Sequence, residues 1–485
     1  MLLFHLVYLL ASFVIQSTVA QTHPGRSQTV RSYEFNVTQR SINPDCSDHV
    51  SPVFLINNQM PGPKITAVQG DVVRVLIRNQ LSPMPLPDDH RHNVAIHFHG
   101  IRQYGSVHSD GVPYLTQMPI KPGQEYVHEF RVVNQAGTYF YHAHVGMQEE
   151  RTSLLLKAGP YTYHDERTLL LSEWWHRPHM EFESFLMGPN ILINGHTLHN
   201  ARKAVVAQCG GYELIPVKPN QTYRFRVIGA TAFRTLGFAI AHHNLTIIEV
   251  DGELTKPYTV SQEVAPGQRF SVLLHTDQKP DDYSIQIVRR WSDNVARPTN
   301  AGRSDDHGSR GVVRLKKPIV LEPPAIKAHF DKAEDEAPHW LWSSIEPLYG
   351  VDPVIYKPAT KTIKLRSVDR RMPDNTVRWL IKSNRRQVPG LYDTITADGY
   401  DRNLGTYPIS YFDIVDIIAH GQGEYVHERD ADIQNVKNPL HKDITMIYPF
   451  VDPSLFEKNG TKVEEPDNPG VWAVHCHNTA HMMMA

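Results

Sequence analysis

Cysteine is scarce in this 485-residue chain: there are three, at positions 46, 209 and 476. None sits in a Cys-x-x-Cys pair, which argues against a zinc ribbon or finger built on paired thiolates. A dominant charge is missing too, with 49 Lys and Arg against 51 Asp and Glu. Nothing in that balance points to nucleic acid or to an anionic surface. Long apolar runs are absent after the first twenty residues, so no later segment reads as a bilayer-spanning helix. The early run, Leu2 to Ile15, is shorter than the ~20 residues a span requires. It precedes the small residues Thr18-Val19-Ala20 and reads as a secretory signal cleaved near Gln21. Its leading residues lack Lys or Arg, and a membrane anchor is the rival reading. The expectation is a secreted, soluble protein. Sequons at Asn36, Asn220, Asn244 and Asn459 fit a glycosylated extracellular chain.

What the chain has in quantity is histidine, 28 residues. Near the C-terminus it reads His475-Cys476-His477, with His481 five positions after the thiol. Along an extended strand, side chains alternate faces. Cys476 then points one way, and His475 and His477 the other. One segment can serve two metal sites on opposite sides, joined by a short covalent path that suits electron transfer between two coppers. The plain alternative is a buried Cys beside incidental histidines. Two further pairs, His97-Phe98-His99 and His142-Ala143-His144, argue against it. Each puts two imidazoles on one strand face, a spacing that lets neighbours converge on a metal. Imidazole with thiolate suits copper or zinc. If Cys476 is a metal ligand, Cys46 and Cys209 remain as one candidate disulfide, which would tie distant parts of the chain together.

The length suits about three domains at roughly 150 residues each, and a hydrophobic fraction of 41% is ample for their cores. β-branched, partly alternating segments recur at Asp71–Ile77, Arg167–Leu171, Tyr223–Ile228, Gln268–Leu274, Tyr283–Val288 and Thr362–Leu365. Turns are marked at Pro61-Gly62, Pro122-Gly123 and Pro266-Gly267. Lys121-Pro122-Gly123-Gln124, Val217-Lys218-Pro219-Asn220 and Val264-Ala265-Pro266-Gly267 each lead into a strand, a hint of repeated domains. Dense short strands read as an all-β fold of sandwiches. The expected division is a signal peptide over 1–20, sandwiches over 21–160 and 161–320, a Pro- and charge-rich connector over 321–354, and a third sandwich over 355–485.

Ile96-His97-Phe98-His99-Gly100 with Ser109-Asp110-Gly111, Gly137-Thr138-Tyr139-Phe140-Tyr141-His142-Ala143-His144-Val145-Gly146, and Trp472-Ala473-Val474-His475-Cys476-His477 with His481 resemble copper motifs of the multicopper oxidases. The branch they resemble is that of laccases and ascorbate oxidases, of fungal type. The match covers nearly the whole chain after the signal, and Ile191–Gly195 resembles a middle-domain landmark of the family. The resemblance implies three cupredoxin-like Greek-key β-sandwich domains and four copper ions. It makes His97 a type 2 ligand. His99, His142 and His477 would hold one type 3 copper, and His144 and His475 the other. Cys476 and His481 would hold the type 1 copper. It implies that Asp110 is a carboxylate assisting proton delivery to oxygen, although Asp-Gly is also an ordinary turn pair. It implies that Cys46 and Cys209 form the family's disulfide between the first two domains. The implied partners are a small-molecule reducing substrate and dioxygen, with no nucleic acid and no membrane.

One motif of the pattern is absent. The strand expected over 406–418 is followed by Ala419-His420-Gly421-Gln422-Gly423-Glu424-Tyr425-Val426-His427, where the family carries His-Pro-x-His-x-His-Gly. Familiar phrases on both sides suggest a deletion around Gly423 to Val426. The chain ends at Ala485, one residue before the implied axial ligand, so the third sandwich reads as truncated and fewer than four coppers are expected. His420 and His427 do not reproduce the lost spacing, and Thr479 stands where several relatives carry a carboxylate. Two functions remain: a secreted laccase-type oxidase coupling one-electron oxidation of phenol-like donors to reduction of dioxygen, or a mis-spliced or degenerate copper-binding protein without turnover. A zinc hydrolase is a distant third, since no general base accompanies the histidines.

Overall fold

The computed structural model describes most of residues 29–176 and 190–290, then 310–315, 345–349, 358–360, parts of 361–382 and 400–421, residues 461–463 and Ala473. Regular structure in them is β throughout, apart from a 3-10 turn at Val107–Ser109. No helix among the described residues is long and apolar enough to cross a membrane.

Eight strands come first: β1 (Val30–Ile42), β2 (Ser51–Ile56), β3 (Ile65–Ala67), β4 (Val72–Asn79), β5 (Ile96–His99), β6 (Glu125–Arg131), β7 (Thr138–Ala143) and β8 (Arg151–Leu156). They form two four-stranded sheets, ordered β2-β1-β4-β6 and β3-β8-β7-β5. A shared core joins the sheets: Phe35, Val73, Val75, Ile77 and Phe130 from one, Ile96, Phe98, Tyr139 and Tyr141 from the other. β4 shows why. Its Val73, Val75 and Ile77 alternate inward with Arg74 exposed between them, the period of a half-buried strand.

Eleven strands follow: β9 (Asp165–Trp174), β10 (Asn190–Ile193), β11 (Leu214–Val217), β12 (Thr222–Ala230), β13 (Thr235–Ile240), β14 (Leu245–Val250), β15 (Glu253–Thr259), β16 (Gln262–Val264), β17 (Arg269–His275), β18 (Asp282–Arg290) and β19 (Arg310–Leu315). They make a six-stranded sheet, β10-β9-β12-β17-β14-β15, and a five-stranded sheet, β11-β19-β18-β13-β16. A second core spans both, including Leu169, Phe225, Phe238, Ile247, Phe270 and Ile285. Last come β20 (Lys361–Arg371), β21 (Val377–Lys382), β22 (Val415–Gly421) and β23 (Thr461–Val463), in a sheet ordered β21-β20-β22-β23.

The strand expected over 406–418 begins later than its composition suggests. Residues 407–410 are irregular and β22 starts at Val415. Pro408 has no N–H to give a ladder, and its carbonyl takes the Lys361 ammonium. Ser410 and Asp413 close a local turn, Ser410 N donating to Asp413 Oδ2 at 2.7 Å and Asp413 N to Ser410 O at 3.1 Å. His420 lies in β22 opposite Arg366.

Candidate metal centre

β5 and β7 pair antiparallel, with His97 opposite His142 and Phe98 opposite Tyr141. Alternation then separates two faces. Ile96, Phe98, Tyr139 and Tyr141 enter the core, while His97, His99, Phe140 and His142 share the other face. His144 follows directly, its N–H donating to Ala95 O at 2.9 Å and so prolonging the ladder. The four imidazoles sit ring against ring. His97 lies 5.7 Å from His99, 5.4 Å from His142 and 5.4 Å from His144, centroid to centroid. Donor atoms of His97, His99 and His142 all fall within 4.8 Å of one another. Phe140 stacks on both His99 (4.7 Å) and His142 (5.1 Å), a wall that holds the two rings.

The tautomers are set by carbonyls. His97 Nδ1 lies 2.6 Å from Asp110 O, and His142 Nδ1 lies 2.9 Å from Ala143 O. A carbonyl only accepts, so each Nδ1 is the donor and each Nε2 is the nitrogen left to face a metal. Metal-binding imidazoles are commonly oriented this way. Imidazoles converging with their orientation so fixed fit copper.

Asp110 is buried, with its Oδ1 3.4 Å from His97 Nδ1. Its place is fixed by the preceding turn. Ser109 Oγ donates to Glu129 O at 3.0 Å and accepts from Glu129 N at 2.9 Å, which ties the turn to β6. Ser109 O accepts from Gln103 Nε2 at 2.9 Å and from His128 Nδ1 at 3.0 Å. His128 is wholly buried against Phe98 and Tyr126, and that burial pushes its pKa down to about 4. It is therefore neutral behind the His97–Asp110 pair.

The structure thus brings together His97, His99, His142, His144 and Asp110. His475, Cys476, His477, His481 and Cys209 lie outside the described residues, as do His427 and the 423–426 junction. Cys46 is buried and disulfide-bonded. Sequence reasoning missed Ser109, His128 and Phe140. Phe140 carried a signal, since it shares the parity of His142 in the same strand. Ser109 and His128 carried none, because their roles depend on a loop folding across β6. A second group, Asp45 with His176 and His199, also went unforeseen.

Residues 36–166, 165–306 and 412–485 match three family models, each described as multicopper oxidase. The L-ascorbate oxidase of Cucumis sativus is 27% identical, covering 94% of this chain and 88% of the relative. Laccase-22 of Oryza sativa is 27% identical as well, covering 98% and 93%. These alignments run over 550 and 557 positions, more than the 485 residues of the chain, so the relatives contain segments that it lacks. Among solved structures, the laccase of Botrytis aclada aligns with a TM-score of 0.69 at 22% identity, covering 94% of this chain and 86% of the other. A multicopper oxidase of Pseudomonas thermotolerans aligns at 0.59 with 17% identity, covering 94% and 98%. These two likenesses concern the fold.

Proposed function

The chain belongs to the multicopper oxidase family, and from that premise we propose that it oxidises a small phenol-like donor, one electron at a time, and passes the electrons to dioxygen. Copper is the family's cofactor and copper-dependent oxidation its chemistry. The observation that carries the proposal is the facing of β5 and β7, with four imidazoles converging on one side and Asp110 beside them. Bound copper would supply single-electron storage, so that four electrons and four protons reach one dioxygen and yield two waters.

The chain's own residues do the remaining work. His97, His99, His142 and His144 would hold the cluster together with His475 and His477 of the C-terminal segment, without the ligands of the absent His-Pro-x-His-x-His-Gly motif. Cys476 and His481 would hold the copper that meets the donor. Carbonyls of Asp110 and Ala143 fix which nitrogen faces metal. The Asp110 carboxylate lies 3.4 Å from His97 Nδ1, and in this proposal it would pass protons toward oxygen. The proposed division is three sandwiches, 21–160, 161–320 and 355–485, with a disulfide from Cys46 to Cys209 and secretion after residue 20.

A second reading has its own support. The sequence lacks His-Pro-x-His-x-His-Gly, and the alignments leave parts of the relatives unmatched. On that reading the chain binds one or two coppers without turnover. Purified, copper-loaded protein separates the two readings. About four coppers per chain, an intense thiolate-to-copper band and oxygen uptake with a phenol support the oxidase. Fewer than two coppers with no blue colour sink it. Ascorbate as an alternative donor tests the substrate class, because the two kinds of relative named above differ there.

A further inference from the structure

We propose that Asp45, His176 and His199 form a second site, for a divalent transition-metal ion of the zinc class, sharing no residue with the copper centre. Their donor atoms lie within 4.8 Å of one another. A tetrahedral ion with bonds of about 2.1 Å sets its ligands roughly 3.4 Å apart, so small side-chain rotations close the group around one. The three come from separate places. Asp45 lies in the turn after β1, His176 just beyond β9, and His199 beyond β10. Backbone bonds hold these segments together: His199 N donates to Asp45 O at 2.7 Å, and Thr197 N to Pro44 O at 3.2 Å.

The Asp45 carboxylate is fully buried but richly held. Oδ1 accepts from Ser47 Oγ at 2.8 Å, and Oδ2 meets both His176 Nε2 and Asn190 Nδ2 at 2.5 Å. Asn190 in turn reaches His199 Nδ1 at 2.9 Å. The His49 ring packs 5.0 Å from that of His176, which lies 4.7 Å from His199. One buried carboxylate with imidazoles gathered at its open side is a donor set for zinc, nickel or Cu(II). It has too few oxygens for calcium and no thiolate for Cu(I). Three protein ligands leave a fourth position for water or for the Asn190 carbonyl. The ion would replace the direct His176–Asp45 hydrogen bond. Beside the disulfide-bonded Cys46, it would link the turn after β1 to the segments that follow β9 and β10.

The test uses the full, copper-loaded chain. It is equilibrated with Zn²⁺ at neutral pH, freed of loose ion, and analysed for zinc and copper together. His199→Ala and the double variant His176→Gln/His199→Ala are compared with it. His199 is exposed, and circular dichroism checks that each variant folds. The expected result is one metal equivalent fewer in the variants, with the blue band unchanged, and a rise of several degrees in Tm on adding Zn²⁺ for the unaltered chain alone. Titration with Co²⁺ should give a d–d spectrum that the double variant lacks. Equal metal uptake in all three proteins, with no difference spectrum, overturns the site and leaves a hydrogen-bonded cluster.

Discussion

His97 donates from Nδ1 to the backbone carbonyl of Asp110 across 2.6 Å, a contact that depends on Gly111. Gly111 has φ +86, and a Cβ there would fall 1.8 Å from Ile96 O and 2.8 Å from the Cα of His97. Those are backbone atoms of β5 and cannot step aside. The pair Asp110-Gly111 is therefore both a turn and a device that brings a carbonyl and a carboxylate onto a metal-facing imidazole.

Gly111→Ala should push the loop off β5. The left-handed backbone alone costs about 1–2 kcal/mol for a residue with a Cβ, and the clash adds to it. Thermal unfolding should show the loss. Copper per chain should fall as well, because His97 loses the acceptor that fixes its tautomer. A variant with unchanged Tm and full copper content would show that the loop does not orient His97.

His128 gives a pH dependence. Its folded pKa is about 4, pushed down by burial, while an unfolded histidine titrates near 6.5. Between those values the unfolded chain binds the proton and the folded chain does not. Stability from this residue is therefore complete above about pH 6.5 and is lost as pH falls toward 4, on the order of 3 kcal/mol in all. His128→Phe keeps an aromatic ring beside Phe98 and Tyr126 and should flatten that part of a Tm-against-pH curve. An equally steep acid limb in the variant would assign it elsewhere.

Glu249 anchors the strand that carries His142. Its Oε1 accepts from Thr138 N, the first residue of β7, at 2.6 Å. Its Oε2 pairs with Arg224, accepts from Ser271 Oγ at 2.6 Å and lies 4.0 Å from Arg226. Burial alone would raise the Glu249 pKa, but the Arg224 and Arg226 charges and these hydrogen bonds outweigh it and hold the carboxyl below its usual range. Glu249→Ala takes the close carboxylate partner from the buried Arg224, while Arg226 keeps its pair with Glu166, and removing one partner of a buried pair costs about 3–5 kcal/mol. Urea unfolding should show that loss, accompanied by lower copper content. A change under about 1 kcal/mol would show that water or Glu166 compensates.

The sequence shows the metal face more plainly than its supports. His97, His99 and His142 declare themselves by strand parity, because one-residue alternation decides which side chains share a face, and Phe140 shares that parity although sequence reasoning passed it over. Asp110 could be named but not ranked, since Asp-Gly is common in turns and only the approach to Ile96 distinguishes this one. Glu249 gave no warning. In β14 the register shifts between Ile247 and Glu249, and that irregularity lets Ile247, Ile248 and Glu249 all be buried. Asp45, His176 and His199 are spread over more than 150 positions and follow no period, so only folding brings them together.

Phe140 separates support of the site from support of the fold. Its ring faces His99 and His142 on one side of the strand pair, and it also packs with Leu170, Ile228 and Ala230. Phe140→Leu keeps an apolar side chain against those three residues and removes only part of the ring's buried volume, so it should cost well below the roughly 3–5 kcal/mol of a Phe→Ala change. It removes the flat surface on which the two imidazoles lie. The imidazoles then gain rotational freedom and bind copper less tightly, while the fold changes little. The expected outcome is a small drop in Tm with a clear loss of copper per chain, read from unfolding and metal analysis of one preparation. If copper is retained and only Tm falls, Phe140 serves the core alone, and the ring orientations are set by the Asp110 and Ala143 carbonyls.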